Sequence, residues 1–261
     1  MIITLRSLIN FFLINGIAII FGFILKSLMF NFIFIFIGNL IKNIILYLFL
    51  LLLQKDKPNI KHNFINNRRN FKLVFNILLV SLFDSITFYI LTPYLIEPSN
   101  IFYDLSTFII NSFVFEIIFD LFHYIMHRTL HHKLLYHLFH KKHHLHHHTT
   151  LETTFNQDPV DLLLTNVVPI VFTFYLYPLS KLSFHLFMIY KTFLELSGHS
   201  GKIINGSSFC QFIWLPKTLG IELNTEDHYL HHTHSNSNYS KRFKLWDLIF
   251  NTYKAHNYNL H

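Results

Sequence analysis

Four long apolar stretches separated by short polar breaks fill the first half of the chain, at roughly residues 8–25, 31–53, 71–95 and 107–126. Each approaches the length of about 20 residues that a helix needs to cross a bilayer. The second carries Asn39, Lys42 and Asn43 near its middle, where pairing or snorkelling accommodates Lys42. The N-terminal stretch lacks a small-residue cleavage site and runs into a second apolar segment, unlike a signal peptide. A further apolar region, residues 160–197, is broken by Pro178 and Lys181.

Composition supports the membrane reading. Charged residues make up 13% of the chain and hydrophobic residues 52%, against about 25% charged in soluble domains. The single Cys210 excludes an internal disulfide and a thiolate metal cluster. Positive charge fixes an orientation. The loop from Gln54 to Lys72 holds Lys55, Lys57, Lys61, Arg68, Arg69 and Lys72, whereas the loop from Thr92 to Ser106 holds no Lys or Arg. By the positive-inside rule the first loop is cytoplasmic. The net charge of +7 is therefore read as setting topology, with no nucleic-acid partner expected. Four crossings return the chain to the cytoplasm at His127.

Chemistry concentrates just after that return. His127 and His131 form one cluster, His140, His143 and His144 a second, and His228, His231 and His232 a third. The second and third repeat one pattern, His-x-x-His-His, 88 residues apart. In helices, residues three and four apart share a face, so each cluster is expected to present its imidazoles in one direction. Eight convergent imidazoles exceed what one tetrahedral ion uses, which points to two metals. For these clusters to meet, residues 160–197 must cross the membrane twice or not at all, and a hairpin near Pro178 to Lys181 or a partly inserted pair of helices satisfies that. His146, His147 and His148 read as extension of a histidine-rich tract, and His62 and His256 as solvated surface. The segment from Phe243 to Tyr253 either lies along the headgroups or packs against the metal domain.

Other metal chemistries lack their signatures. There is no His-Glu-x-x-His, no Glu-x-x-His and no Gly-x-Gly-x-x-Gly loop, so electrons for a redox reaction must come from another protein. A metal transporter should hold ionisable ligands inside its spans, whereas these clusters follow the fourth span.

The segments Asp120-Leu-Phe-His-Tyr-Ile-Met-His-Arg-Thr-Leu-His131, Phe139-His-Lys-Lys-His-His144, Gly198-His-Ser-Gly201, Glu226-Asp-His-Tyr-Leu-His-His232 and Leu245-Trp-Asp-Leu-Ile-Phe-Asn-Thr252 resemble the fatty acid hydroxylase/sterol desaturase superfamily. The resemblance covers about residues 107–254. It implies a centre of two iron ions (Fe2+), O2 as co-substrate, a membrane lipid as substrate and an electron donor such as cytochrome b5 or a reductase. It also implies a multi-pass protein of the endoplasmic reticulum. His131 and His140 are only nine apart, unlike the widely separated first two boxes of acyl-CoA desaturases. The run from His231 to Tyr239 is closer to sterol hydroxylases than to sterol desaturases.

The resemblance adds His199 as a further ligand, and Glu195 as a weaker one where some relatives place a histidine. His123, one turn before His127, is expected beside the ligands. Asp120, Glu226 and Asp227 are candidate acceptors for the second N–H of a metal-bound imidazole, and Arg128 is expected to pair with Asp120 or Glu116. One departure concerns a His-Pro-Leu-Glu segment of many relatives, which here reads Asp158-Pro-Val-Asp161. The expected fold is an all-α integral membrane protein, a transmembrane bundle of about four to six spans with a cytoplasmic histidine-rich di-metal domain. Residues 1–106 would anchor it, 107–254 would form the catalytic domain and 255–261 a tail. The expected activity is hydroxylation of a C–H bond in a sterol or related lipid. Desaturation of a sterol or fatty acyl chain by the same centre is the alternative.

Overall fold

A computed structural model describes residues 5–27, 31–60, 72–97, 100–204 and 208–255. His62, Lys61, Arg68 and Arg69 of the basic loop, and His256 of the tail, lie outside the described residues. The apolar stretches form helices α1 (Leu5–Ser27), α2 (Phe32–Leu53), α3 (Lys72–Leu91) and α4 (Ile101–Leu130). Polar residues set where they start. Asn31 accepts from the N–H of Phe34 at 3.1 Å, and Asn100 accepts from Phe102 and Tyr103 at 2.8 and 3.2 Å, satisfying donors that a helix start leaves open. Phe12, Leu52, Val74 and Ile110 are each at least 67% exposed on their outer faces, a surface that suits lipid.

The polar residues inside α2 fall on one face at spacings of three and four and meet α3. Asn39 donates to Ser85 at 3.1 Å, Lys42 to Asp84 at 2.8 Å and Asn43 to Ser81 at 2.9 Å. Lys42 is therefore paired rather than snorkelling, because its α3 partner lies within reach at the same depth.

Residues 160–197 fold as the expected hairpin. Helix α5 (Pro159–Leu176) leads to a turn, and α6 (Lys181–Gly198) returns from it. The turn sits at the end away from the histidines, where Ser180 donates to Asp104 at 2.6 Å and Lys181 pairs with Glu97 at 2.7 Å. With α1 to α5, five helices are long and apolar enough to cross a membrane. Helix α6 is the buried axis: 14 of its 18 residues are buried, against α1, α2 and α4. That position lets it carry Lys191 and Glu195, which lipid would not tolerate.

At the histidine end, the loop after α2 joins the site. The N–H of Ile60 bonds the carbonyl of Gly201 at 2.9 Å, and Tyr47 donates to Glu152 at 3.0 Å. Gly201 has a φ of 65°, and a Cβ there would stand 2.3 Å from the Thr149 carbonyl oxygen, so only glycine fits. The last elements are α7 (Thr225–Thr233) and α8 (Leu245–Ile249). The C-terminal segment packs against the histidine end of α4, with Phe250 stacked on Tyr124 at 5.1 Å.

Candidate metal centre

Helix α4 ends at Leu130, so His127 and His131 project from its last turn and its cap. The second cluster is not α-helical: Tyr136–His140 is a π turn and His143–Leu145 a 3-10 turn. His199 caps α6, and α7 carries the third cluster. Nine imidazoles then gather into two groups, His127, His131, His140, His144 and His231 in one and His143, His199, His228 and His232 in the other, with ligand atoms within 4.8 Å inside each. The clusters are split rather than each facing one way. From the second, His140 and His144 join the first group and His143 the other; from the third, His231 joins the first and His228 and His232 the other. The repeated spacing is used in complementary senses: His140 and His144, four apart, share one group, and His228 and His232, four apart, share the other.

Proton positions follow from the partners. Nδ1 of His127 lies 2.7 Å from the carbonyl of Tyr239, Nδ1 of His231 2.7 Å from that of Ser237, and Nδ1 of His199 2.9 Å from that of Glu195. Nδ1 of His140 lies 3.0 Å from the Asp161 carboxylate. These oxygens only accept, so each Nδ1 carries the proton and each neutral ring leaves a bare lone pair on Nε2. Yet three of these Nε2 atoms face one another, His127 lying 3.1 Å from both His140 and His231. Lone pairs cannot hydrogen-bond each other, and a cation between them resolves the arrangement. Nδ1 of His143 and His144, Nε2 of His131 and both ring nitrogens of His232 are buried without hydrogen-bond partners. The residues therefore fit metal ions.

Burial, then neighbouring imidazoles, holds His131, His143, His144, His228 and His232 below the usual histidine range. Burial likewise lowers His199 to about 4 and His231 to about 3. All seven are thus neutral near pH 7, the form that binds metal. A void of about 20 Å³ touches both groups, walled by His127, His140, His143, His199 and His228 with Lys241. Burial draws the Lys241 ammonium down to about 8, and it bonds Glu195 and Asn166, each at 2.9 Å.

The remaining candidates have distinct places. His123 lies outside both groups, its Nδ1 2.8 Å from the Thr165 carbonyl. Asp120 meets no imidazole; it accepts from the backbone N–H groups of Lys241, Arg242 and Phe243 at 2.7 to 3.0 Å. Asp227 caps α7 through the N–H of Asn224 at 2.9 Å, with Glu226 buried beside it. Glu195 pairs with Lys191 and Lys241 at 3.0 and 2.9 Å and offers only its backbone carbonyl to His199. Arg128 donates to the Tyr124 hydroxyl at 3.0 Å, while the cation beside Glu116 is Arg242 at 3.5 Å. The carboxylate on a box histidine is Asp161, the acidic position kept in kind in the altered segment.

Residues 112–252 match the family model described as Fatty acid hydroxylase. A stretch of 66 residues is 38% identical to "Fatty acid hydroxylase vlmA" of Lecanicillium sp, covering 24% of this chain and 18% of that protein. The matched part is thus under a fifth of that relative's length. No solved structure matches the chain.

Proposed function

Because the chain belongs to the fatty acid hydroxylase family, we propose that it is a membrane-bound oxygenase that hydroxylates a C–H bond of a sterol or related lipid. The observation that carries this reading is the pair of buried histidine groups whose ring nitrogens converge within 4.8 Å inside each group. Two Fe2+ ions would be held there, one by each group. Bound iron would supply the redox chemistry that activates O2 toward an unactivated C–H bond. One oxygen atom goes to the product and one to water, with two electrons and two protons; an external donor such as cytochrome b5 or a reductase supplies the electrons. The carbonyls of Ser237, Tyr239 and Glu195 hold the Nδ1–H groups and so fix the ring planes. Burial of the imidazoles excludes bulk water, and Lys241 offers N–H groups at the void between the groups. The outer faces of α1 to α4 keep this site at the bilayer, from which a lipid arrives laterally.

Desaturation by the same residues diverges only after the first hydrogen is lost, so product analysis separates the two outcomes. Lipid profiling of cells expressing the protein, against a histidine-to-alanine control, identifies the product. Metal analysis after iron-replete anaerobic preparation is expected to give close to two ions per chain, and one or fewer would count against the centre.

The proposed location is the endoplasmic reticulum membrane with the histidines on the cytoplasmic side, supported by Lys55 and Lys57 at the histidine end. Cysteine labelling at Asn66 and Ser99, in a Cys210→Ser background, is expected from opposite sides. Both positions lie outside the described residues, and labelling from one side would overturn the topology.

A further inference from the structure

Two ring-orienting carbonyls, those of Ser237 and Tyr239, flank a single residue, Asn238, whose φ is 57°. They serve different boxes: Tyr239 receives His127 from α4, and Ser237 receives His231 from α7, each at 2.7 Å. The two rings stand 4.6 Å apart, so the chain must turn tightly between the carbonyls. A left-handed residue makes that turn, and asparagine tolerates it better than any residue except glycine.

Asn238 is also held on every side. Its amide donates to the carbonyls of Asp227 and Lys254 at 3.0 and 2.9 Å, and its Oδ1 accepts from the N–H of Lys254 at 2.7 Å. Asp247, fully buried, accepts from the N–H groups of Tyr239 and Ser240 at 2.9 Å each and from the Thr252 hydroxyl at 2.7 Å. Asp120 continues the series by taking the next three N–H groups. The C-terminal segment is therefore locked to both boxes at the point where their rings meet.

We propose that Asn238 and Asp247 are positioning residues for the five-histidine group, setting the tautomer and plane of His127 and His231 through the carbonyls of residues 237 and 239. This rests on the reading of that group as a metal site. Neither residue touches the ion; they act on ligands that would otherwise rotate or exchange tautomers. An orienting partner of this kind is worth about 10- to 100-fold in metal affinity.

The test uses the full-length protein in detergent with two readouts. In the metal-free protein, 15N NMR of histidine-labelled samples is expected to show His127 and His231 protonated on Nδ1, and Asn238→Val and Asp247→Asn to show mixed tautomers. Anaerobic Fe2+ titration is expected to give two binding events in the wild type. In both variants one event weakens by roughly 10- to 100-fold while the other stays. Asn238→Gly keeps the backbone turn and should recover most of that loss. If Asn238→Val fails to fold, Asp247→Asn decides by the same readouts. Wild-type tautomers with two unchanged binding events in the variants would overturn the proposal. So would equal weakening of both events, which marks a general loss of structure. Failure of the wild type to bind Fe2+ defeats the metal reading alone, and the tautomer measurement still decides the positioning role.

Discussion

His143→Ala and His231→Ala are each expected to abolish lipid oxidation, while His147→Ala keeps most of it. The first two substitutions strike different groups, His143 in the four-histidine set and His231 in the five-histidine set. Each removes a buried nitrogen and opens a space that water fills. Loss of an orienting partner alone costs about 10- to 100-fold, so loss of a ligand should exceed about 100-fold. His147 lies outside both groups and only reaches the His232 carbonyl, at 3.4 Å. The assay follows product in membranes supplied with O2 and a reducing partner, at matched expression. Should His147→Ala be as inactive as the others, the histidine tract belongs to the centre; should all three stay active, the oxygenase reading fails.

Glu195→Ala is expected to destabilise the protein by about 3–5 kcal/mol, the cost of removing one partner from a buried ionic network. Its side chain is 10% exposed and faces Lys191, Lys241 and Arg242, the last at 3.7 Å. Asp84, 3.6 Å from Lys191, already serves Lys42, and Glu116 serves Arg242. Nothing among these is left to balance Lys241. Thermal unfolding in detergent should fall by roughly 10 °C, and adding Lys191→Met should recover part of the loss by deleting one stranded charge. An unchanged midpoint would show that the network contributes little.

Much of this was legible in the residues. Length and apolarity gave α1 to α4, and the need for three boxes to meet gave the hairpin at Pro178. The nine histidines were legible as a set, eight from spacing and His199 from resemblance. Their sorting was not, because the second box forms π and 3-10 turns, which no simple period describes. Asp120, Glu195 and Arg128 kept their burial or charge but had other partners, since proximity in sequence says little about which long-range backbone arrives. Asp161 had a visible signal, an acid kept at the end of the altered segment. Ser237 and Tyr239 act through carbonyls, and a carbonyl leaves no trace in residue type.

Helix α6 also constrains the order of assembly during membrane insertion. Translation delivers α1 to α4 first, and α2 and α3 cover the charges of Lys42 and Asp84 in each other. The α5–α6 hairpin follows, but Lys191 and Glu195 would cost several kcal/mol facing acyl chains. It therefore gains a stable place only when Asp84 is already in position to receive Lys191. His199 caps the far end of α6, at the open end of that hairpin, and α7 follows it. The two histidine groups are thus completed last, and a chain stalled before the hairpin docks carries the first two boxes without the third.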